Sequence, residues 1–256
     1  MSQPTVSGPQ RVAVVIPCHD ARETIAATVR ACRAIPAVDL IVVVDDGSSD
    51  ETLQAARAAG AVAVRHSVTR GRASAMETGV KVAAMRDRSD WPPRLILFLD
   101  QDLGESAVEA AALVDAVING VADCAIGIPD HIVPFPTLVS ASKGVRRTTG
   151  WNSRYPLSTN RCVTREALNA VMPFSTGWGV DVGMTIDLLV DGASVVEIVC
   201  AFQHLSPPEH RSRRAHYWDL WLAVLMRRMS GHRVPVSQRI PLSQQEVGEP
   251  YQMVSR

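Results

Sequence analysis

Two acidic groups stand directly behind apolar runs in this 256-residue chain. Asp100-Gln101-Asp102 follows Leu-Ile-Leu-Phe-Leu at 95–99, and Asp45-Asp46 follows Leu-Ile-Val-Val-Val at 40–44. A short run without a polar residue until its end is the pattern of a strand buried on both faces. One intervening residue lets Asp100 and Asp102 project to the same side of an extended turn, near enough to share a cation or its waters. Hard divalent ions such as Mg²⁺ or Mn²⁺ take carboxylate oxygens and neutralise a departing diphosphate without any proton transfer. A helix N-cap is the other reading, because Asp102 and Gly104 precede a helical pattern that begins at Glu105. Spacing alone leaves both open. The second group continues Asp45-Asp46-Gly47-Ser48-Ser49-Asp50, and Gly47, Ser49 and Asp50 suit a turn leading into a helix. Two acids straight after a strand exceed what that turn needs. A carboxylate there could accept from the imide N–H of a uracil or from ribose hydroxyls.

The second half of the chain offers further polar groups. In Gly177-Trp178-Gly179-Val180-Asp181 the glycines would let backbone approach a ligand, and the indole offers a platform for a sugar face. Asp181, at a helix start, could deprotonate an acceptor hydroxyl or bind donor-sugar hydroxyls. The plainer reading is a helix cap beside a core tryptophan. His210-Arg211, with Arg213 and Arg214, could close over a diphosphate, since guanidinium forks match phosphate oxygens. A solvated basic turn explains the same residues.

Hydrophobic periodicity supplies the elements that must position these groups. Strands are expected at 11–16 (stopped by Pro17), 40–44, 61–65, 95–99, 123–128 and 194–202. Helices are expected at 23–34, 51–59, 72–86, 105–118, 164–171 with Thr164 as N-cap, 180–190 and 215–229. Alternation of this kind implies a mostly parallel sheet with helices on both faces, in one α/β domain. Right-handed crossovers then bring the carboxyl ends of the strands to one rim, where open sheets bind ligands. The prolines and glycines of 129–160 read as a long irregular segment, with Lys143, Arg146, Arg147 and Arg154 bordering an acceptor. The expected organisation is a flexible 1–10, a nucleotide-binding half at 11–128, an acceptor half at 129–230 and a tail at 231–256, polar from 244.

Composition narrows the class. Lys+Arg and Asp+Glu balance at 26 each, which argues against a nucleic-acid binder. Five scattered cysteines without a Cys-x-x-Cys pair suggest reduced thiols in a cytoplasmic protein. Residues 1–10 lack a signal pattern, and the apolar run at 218–226, broken by Asp219, falls short of the roughly 20 residues of a membrane span. A soluble or peripheral protein is expected. Trp218, Trp221, Leu222, Leu225 and Met229 form one helical stripe, expected to pack in the core. The sharper reading is an interfacial helix beside arginines, held against an anionic membrane that carries a lipid acceptor.

Val15-Ile-Pro17, Val44-Asp-Asp-Gly-Ser-Ser-Asp-Glu-Thr52, Arg70-Gly-Arg-Ala-Ser-Ala-Met-Glu-Thr-Gly79 and Phe98-Leu-Asp-Gln-Asp102 occur in that order. As a set they resemble the nucleotide-binding half of the family 2 glycosyltransferases of the GT-A fold, closely over about 11–128 and loosely over 160–230. The resemblance implies sugar transfer from a nucleotide-sugar donor, UDP-hexose above all, to a small-molecule, lipid-phosphate or glycan acceptor. It implies that Pro17, His19 and Asp20 border the nucleoside, that Asp45 and Asp46 contact uracil or ribose, and that Arg70 and Arg72 stand near base and phosphates. Asp100 and Asp102, with His204 behind the last strand, would hold Mg²⁺ or Mn²⁺. Asp100 and Gln101 would also border the donor. Gly177 to Asp181 matches the family's Gly-aromatic-Gly-x-acid segment. The chain departs from the pattern at His19-Asp20-Ala21, and in arginines at 70 and 72 where a lysine is usual. Two rival readings fit less well. A nucleotidyltransferase would need a glycine-rich loop where Pro17-Cys18-His19-Asp20 stands, and a scaffold that has lost turnover would not need Asp100, Asp102 and Asp181.

Overall fold

Every core strand of the sheet is sealed on both sides, as the unbroken apolar runs require. In the computed structural model, which describes residues 8–205 and 213–254 but not the side chains of 178 and 213–217, β1 (Val12–Cys18) shows the arrangement. Val12, Val14 and Ile16 face one apolar layer, whereas Ala13 and Val15 face the other. α1 (Ile25–Cys32), β2 (Val38–Asp45), α2 (Thr52–Ala58), β3 (Val62–Arg65), α3 (Arg72–Ala84) and β4 (Leu95–Phe98) follow. A 3-10 segment at Gly104–Ala110 then leads into α4 (Ala111–Ile118) and β5 (Cys124–Ile128). The second half holds α5 (Pro136–Thr149), β6 (Arg161–Val163), α6 (Arg165–Ala170), α7 (Val180–Asp191), β7 (Val195–Val199) and α8 (Arg213–Met229).

The seven strands form one sheet in the order β3-β2-β1-β4-β6-β5-β7. β1 pairs in parallel with β2 and β4, and β5 with β7. β6 alone runs antiparallel, between β4 and β5. The ends of β1, β2, β4 and β7 therefore lie on one rim. All five cysteines are free and buried, and burial pushes the thiols of Cys32, Cys124 and Cys200 up to about 12. No helix among the described residues is long and apolar enough to cross a membrane.

Several expectations change. β1 does not stop at Pro17: its register runs on to Cys18 opposite Asp45, because a missing N–H costs little at a strand's last rungs. Segment 129–160 is not irregular throughout. Pro136 sits in the first turn of α5, where a proline forfeits no helical bond, and Gly150, at φ 89°, closes the helix. β6 went unseen because three residues carry no periodicity. The polar tail is tied to the sheet: Tyr251 exchanges backbone hydrogen bonds with Val195 at 2.8 and 2.9 Å and stacks on Trp151. The stripe on α8 is not core. The helix buries Leu220 and Ala223, while Trp218, Trp221, Leu222 and Met229 are exposed.

Gly79 lets α3 lie directly on β1, since a Cβ there would run into Cγ1 of Val15. Gly79→Ala should lower stability by about 1–3 kcal/mol, the usual cost of overpacking. Urea denaturation measures it, and an unchanged midpoint would contradict the packing.

Candidate active site

The rim is assembled by side chains that reach from one strand-end loop to the backbone of the next. Asp46 directly follows β2 and lies enclosed. It accepts from the amides of Arg70 at 2.9 Å and Gly71 at 2.8 Å, and lies 2.7 Å from Nδ1 of His66. Burial works to raise its pKa, but the Arg70 and Gly71 amides and His66 outweigh it and hold the group below the usual carboxylate range. Asp45, fully buried, accepts from the Ser48 amide at 2.8 Å and from the Ser48 hydroxyl. Its Oδ2 has no hydrogen-bond partner and faces Nε of Arg65 at 3.6 Å. The pair thus ties the strand end to its own turn at Ser48 and to the amides of residues 70 and 71.

The β1 loop is strapped down in the same way. The Asp20 amide donates to Ser48 Oγ at 3.0 Å, and the Asp20 carboxylate accepts from the Ser49 amide at 2.7 Å. The residue itself is at φ 48°. Gln101 accepts from the His19 amide at 2.8 Å and returns a bond to the His19 carbonyl at 3.3 Å. Gln101 is therefore a tie between two loops. His19 Nδ1 lies 3.1 Å from the Asp46 carbonyl. Pro17 is buried within β1, and the Arg70 side chain is exposed.

Arg72, the first residue of α3, meets Asp100 at 3.2 Å through Nη1. Its Nε and Nη2 are buried and have no hydrogen-bond partner. The remaining Asp100 oxygen accepts from the Thr159 hydroxyl and from Asn160 Nδ2 at 3.3 Å, while Asn160 Oδ1 takes the Asp100 amide at 2.9 Å. Asp102 instead faces His204, with Oδ1 and Nδ1 2.9 Å apart. The bond to Asp102 raises the imidazole's pKa, burial lowers it, and the charges of Asp100 and Asp102 add to the rise. Thr28 of α1 braces the turn, donating to the Gln101 carbonyl at 3.1 Å and accepting from the Gly104 amide at 2.9 Å.

Asp100, Asp102 and His204 do not assemble as a three-ligand set. No group of three His, Cys, Asp or Glu among the described residues has that geometry. The reason is local: both Asp100 oxygens are engaged by Arg72, Thr159 and Asn160. Asp102 and His204 form a separate pair, with a carboxylate oxygen and an imidazole nitrogen 2.9 Å apart. This two-donor arrangement suits Mg²⁺ or Mn²⁺, which leave positions for water and substrate phosphates.

Asp181, in the first turn of α7, is 6% exposed, and its Oδ1 has no hydrogen-bond partner. Arg161 Nη2 lies 3.7 Å from that oxygen. Arg161 is fully buried, donates to the Ser158 carbonyl, and reaches the Asp181 carbonyl at 3.3 Å and Thr185 Oγ1 at 3.2 Å. Burial dominates and raises the Asp181 pKa. Arg72 and Arg161 oppose the rise, and the charge of Asp100 adds to it. The glycines before Asp181 serve helix packing. A Cβ on Gly179 would stand 2.6 Å from Ala223 Cβ, and one on Gly177 2.5 Å from Asp219 Oδ2. The backbone of Trp178 lies in the 3-10 turn Gly177–Gly179, and its ring is outside the description. Arg211 lies outside the described residues. Sequence reasoning missed His66, Thr159, Asn160 and Arg161. His66 stands just behind β3, the strand-end position that drew attention to the acids.

A raised folded-state pKa means that ionising Asp181 opposes folding. Its contribution is fully favourable below the ordinary carboxylate value of 3.8 and is lost as pH rises through the folded value. Asp181→Asn, which resembles the protonated acid, should therefore gain thermal stability over the unmutated protein between about pH 4 and 7. Melting curves across that range test it, and a gain independent of pH, or a reversed one, would contradict the assignment.

The chain is similar to several known proteins. It is 31% identical over 164 residues to the succinoglycan biosynthesis protein ExoU of Rhizobium meliloti, covering 56% of this chain and 47% of that protein. It is 32% identical over 114 residues to the uncharacterized protein MJ1222 of Methanocaldococcus jannaschii, covering 44% of each. The chain thus spans about half the length of the curated relatives it matches. Among solved structures it resembles glucosyl-3-phosphoglycerate synthase from Mycobacterium tuberculosis in complex with Mn²⁺, UDP and phosphoglyceric acid. That match has a TM-score of 0.69 at 20% identity, over 96% of this chain and 88% of the other. The same enzyme with Mg²⁺ and UDP gives a TM-score of 0.67 at 21% identity, over 90% and 82%. These likenesses identify the sheet and its helices as the GT-A fold. Residues 13–177 match the model of glycosyl transferase family 2, so the chain belongs to that family.

Proposed function

We propose that this protein transfers a hexosyl group from a UDP-sugar to an acceptor hydroxyl, with Mg²⁺ or Mn²⁺ held at Asp102 and His204. The observation that carries the reading is Arg72. Two buried guanidinium nitrogens without partners are costly unless an anion takes them. A planar fork at a helix N-terminus suits phosphate oxygens in both shape and charge. The solved relatives that share the fold hold UDP with Mn²⁺ or Mg²⁺.

When bound, the cation offsets the charge that collects on the diphosphate as the glycosidic bond breaks. Asp100 fixes the direction of Arg72, so that its free nitrogens meet the phosphates without reorganisation. The loops held by Asp45, Asp46, Asp20 and Gln101 form the nucleoside pocket, with Pro17, His19 and Arg70 at its border. Asp181 takes the proton from the acceptor hydroxyl, and its raised pKa makes it a stronger base than a solvated carboxylate. Acceptors in keeping with this chemistry are hydroxyl-bearing small molecules, lipid phosphates and glycans. A lipid-phosphate acceptor would call for peripheral contact with a membrane.

Thermal shift with UDP, GDP and CTP, each with and without Mn²⁺, tests the proposal. UDP with Mn²⁺ should stabilise most, by about 2.7 kcal/mol at a hundredfold excess over Kd. Asp102→Ala should remove the metal-dependent part. A preference for GDP or CTP would contradict the uridine donor, and no shift with any nucleotide would contradict sugar transfer.

A further inference from the structure

Helix α8 buries the side that the amphipathic pattern left for solvent and exposes the side it marked for the core. Trp218 is 61% exposed, Leu222 50% and Met229 75%, and Trp221 and Met226 are exposed beside them. At 100° per residue these five, with half-buried Leu225, fall on one continuous face. The other face carries Leu220 and Ala223, which pack inward. Five large apolar side chains in line on an outer helix are more than the scattered exposure normal for a soluble surface.

What lies beside this stripe defines its partner. α8 runs against α5 at Gly144, where a Cβ would stand 2.8 Å from Val224, and the close approach leaves a shallow groove of about 130 Å³. Trp221 and Leu225 form its apolar wall, and Lys143, Arg147 and Arg228 line its rim. α5 contains three cations (Lys143, Arg146 and Arg147) and no acid. The one acid of α8, Asp219, is turned inward against Gly177. Arg227 is also turned inward, paired with Asp187. In a chain whose charges cancel overall, this face is cationic without a counter-charge from either helix.

We infer that the face formed by α5 and α8 docks the protein on an anionic lipid bilayer. Tryptophan, leucine and methionine suit the boundary between headgroups and acyl chains. The flanking lysine and arginines suit the anionic headgroups above it. A second copy of the chain fits less well, because a two-fold contact would set the same cations against each other. The opposite side of α8 supports the turn at Gly177–Gly179 and the start of α7, with Gly179 packed on Ala223. Docking would therefore place Asp181 about one helix diameter, ~10 Å, behind the bound face. The inference rests on surface chemistry alone and stands whether or not the donor is a UDP-sugar.

Flotation of the full chain on vesicles tests it. The protein should float with phosphatidylcholine–phosphatidylglycerol vesicles, stay behind with phosphatidylcholine alone, and be released as salt screens the charges. Trp218→Ser with Trp221→Ser, and separately Lys143→Glu with Arg147→Glu and Arg228→Glu, should each cut flotation about tenfold or more. Both sets should keep the unmutated melting temperature, because they change exposed side chains. No flotation on anionic vesicles, or equal flotation on both lipids, would overturn the inference. So would a dimer in light scattering that the tryptophan substitutions abolish.

Discussion

A carboxylate ringed by donors holds the rim of this sheet together. Asp46 lies at the end of β2, yet its partners, the Arg70 and Gly71 amides and the His66 ring, belong to the chain between β3 and α3. The interaction is strong because the acceptor is ionised and shielded from water, and the same donors keep it ionised. Its consequence is positional. By fixing Gly71 at φ 89°, it starts α3 at Arg72 and brings that guanidinium beside Asp100 behind β4, two strands away. Residues 67–70 of the loop are exposed, so the clamp supplies most of what holds it.

The second constraint is the antiparallel strand β6. Parallel strands alone would bring acids to the rim without anything to orient them. β6 enters between β4 and β5 from the opposite direction, so Thr159, Asn160 and Arg161 arrive at the carboxyl end of β4. Thr159 and Asn160 fix Asp100, and Arg161 lies buried under Asp181. One three-residue strand thereby couples the two halves of the site. The cost is an ionisable group with an unsatisfied oxygen in a dry place, and that is also what makes Asp181 basic.

The order of strands and helices in the first half was legible because each run carries one period, and buried strands of β-branched residues are hard to mistake. The acids at strand ends were legible for the same reason: a sealed strand has no other place for charge. Their division of labour was not. Asp46 and Gln101 hydrogen-bond the backbone of neighbouring loops, and only three-dimensional proximity shows that Asp46 faces the amides of residues 70 and 71. Arg161 carried no signal, since a lone arginine in a three-residue strand resembles any surface residue. Pro136 marked the start of α5 where composition suggested a loop. The stripe on α8 had the correct period and was assigned to the wrong side, because periodicity reports that a helix has two faces and not which one turns inward.

The proposed sugar transfer depends on Arg72 receiving a diphosphate. Isothermal titration of UDP in the presence of Mn²⁺ addresses this directly, comparing the unmutated protein with Arg72→Met, which keeps the side chain's length and removes its donors. Loss of a charge-assisted fork is worth about 1.5–3 kcal/mol per bond, so affinity should fall at least tenfold while Asp100 remains in place. Equal affinity in the two proteins would show that the buried nitrogens face something other than the nucleotide, and the catalytic geometry derived from them would not stand.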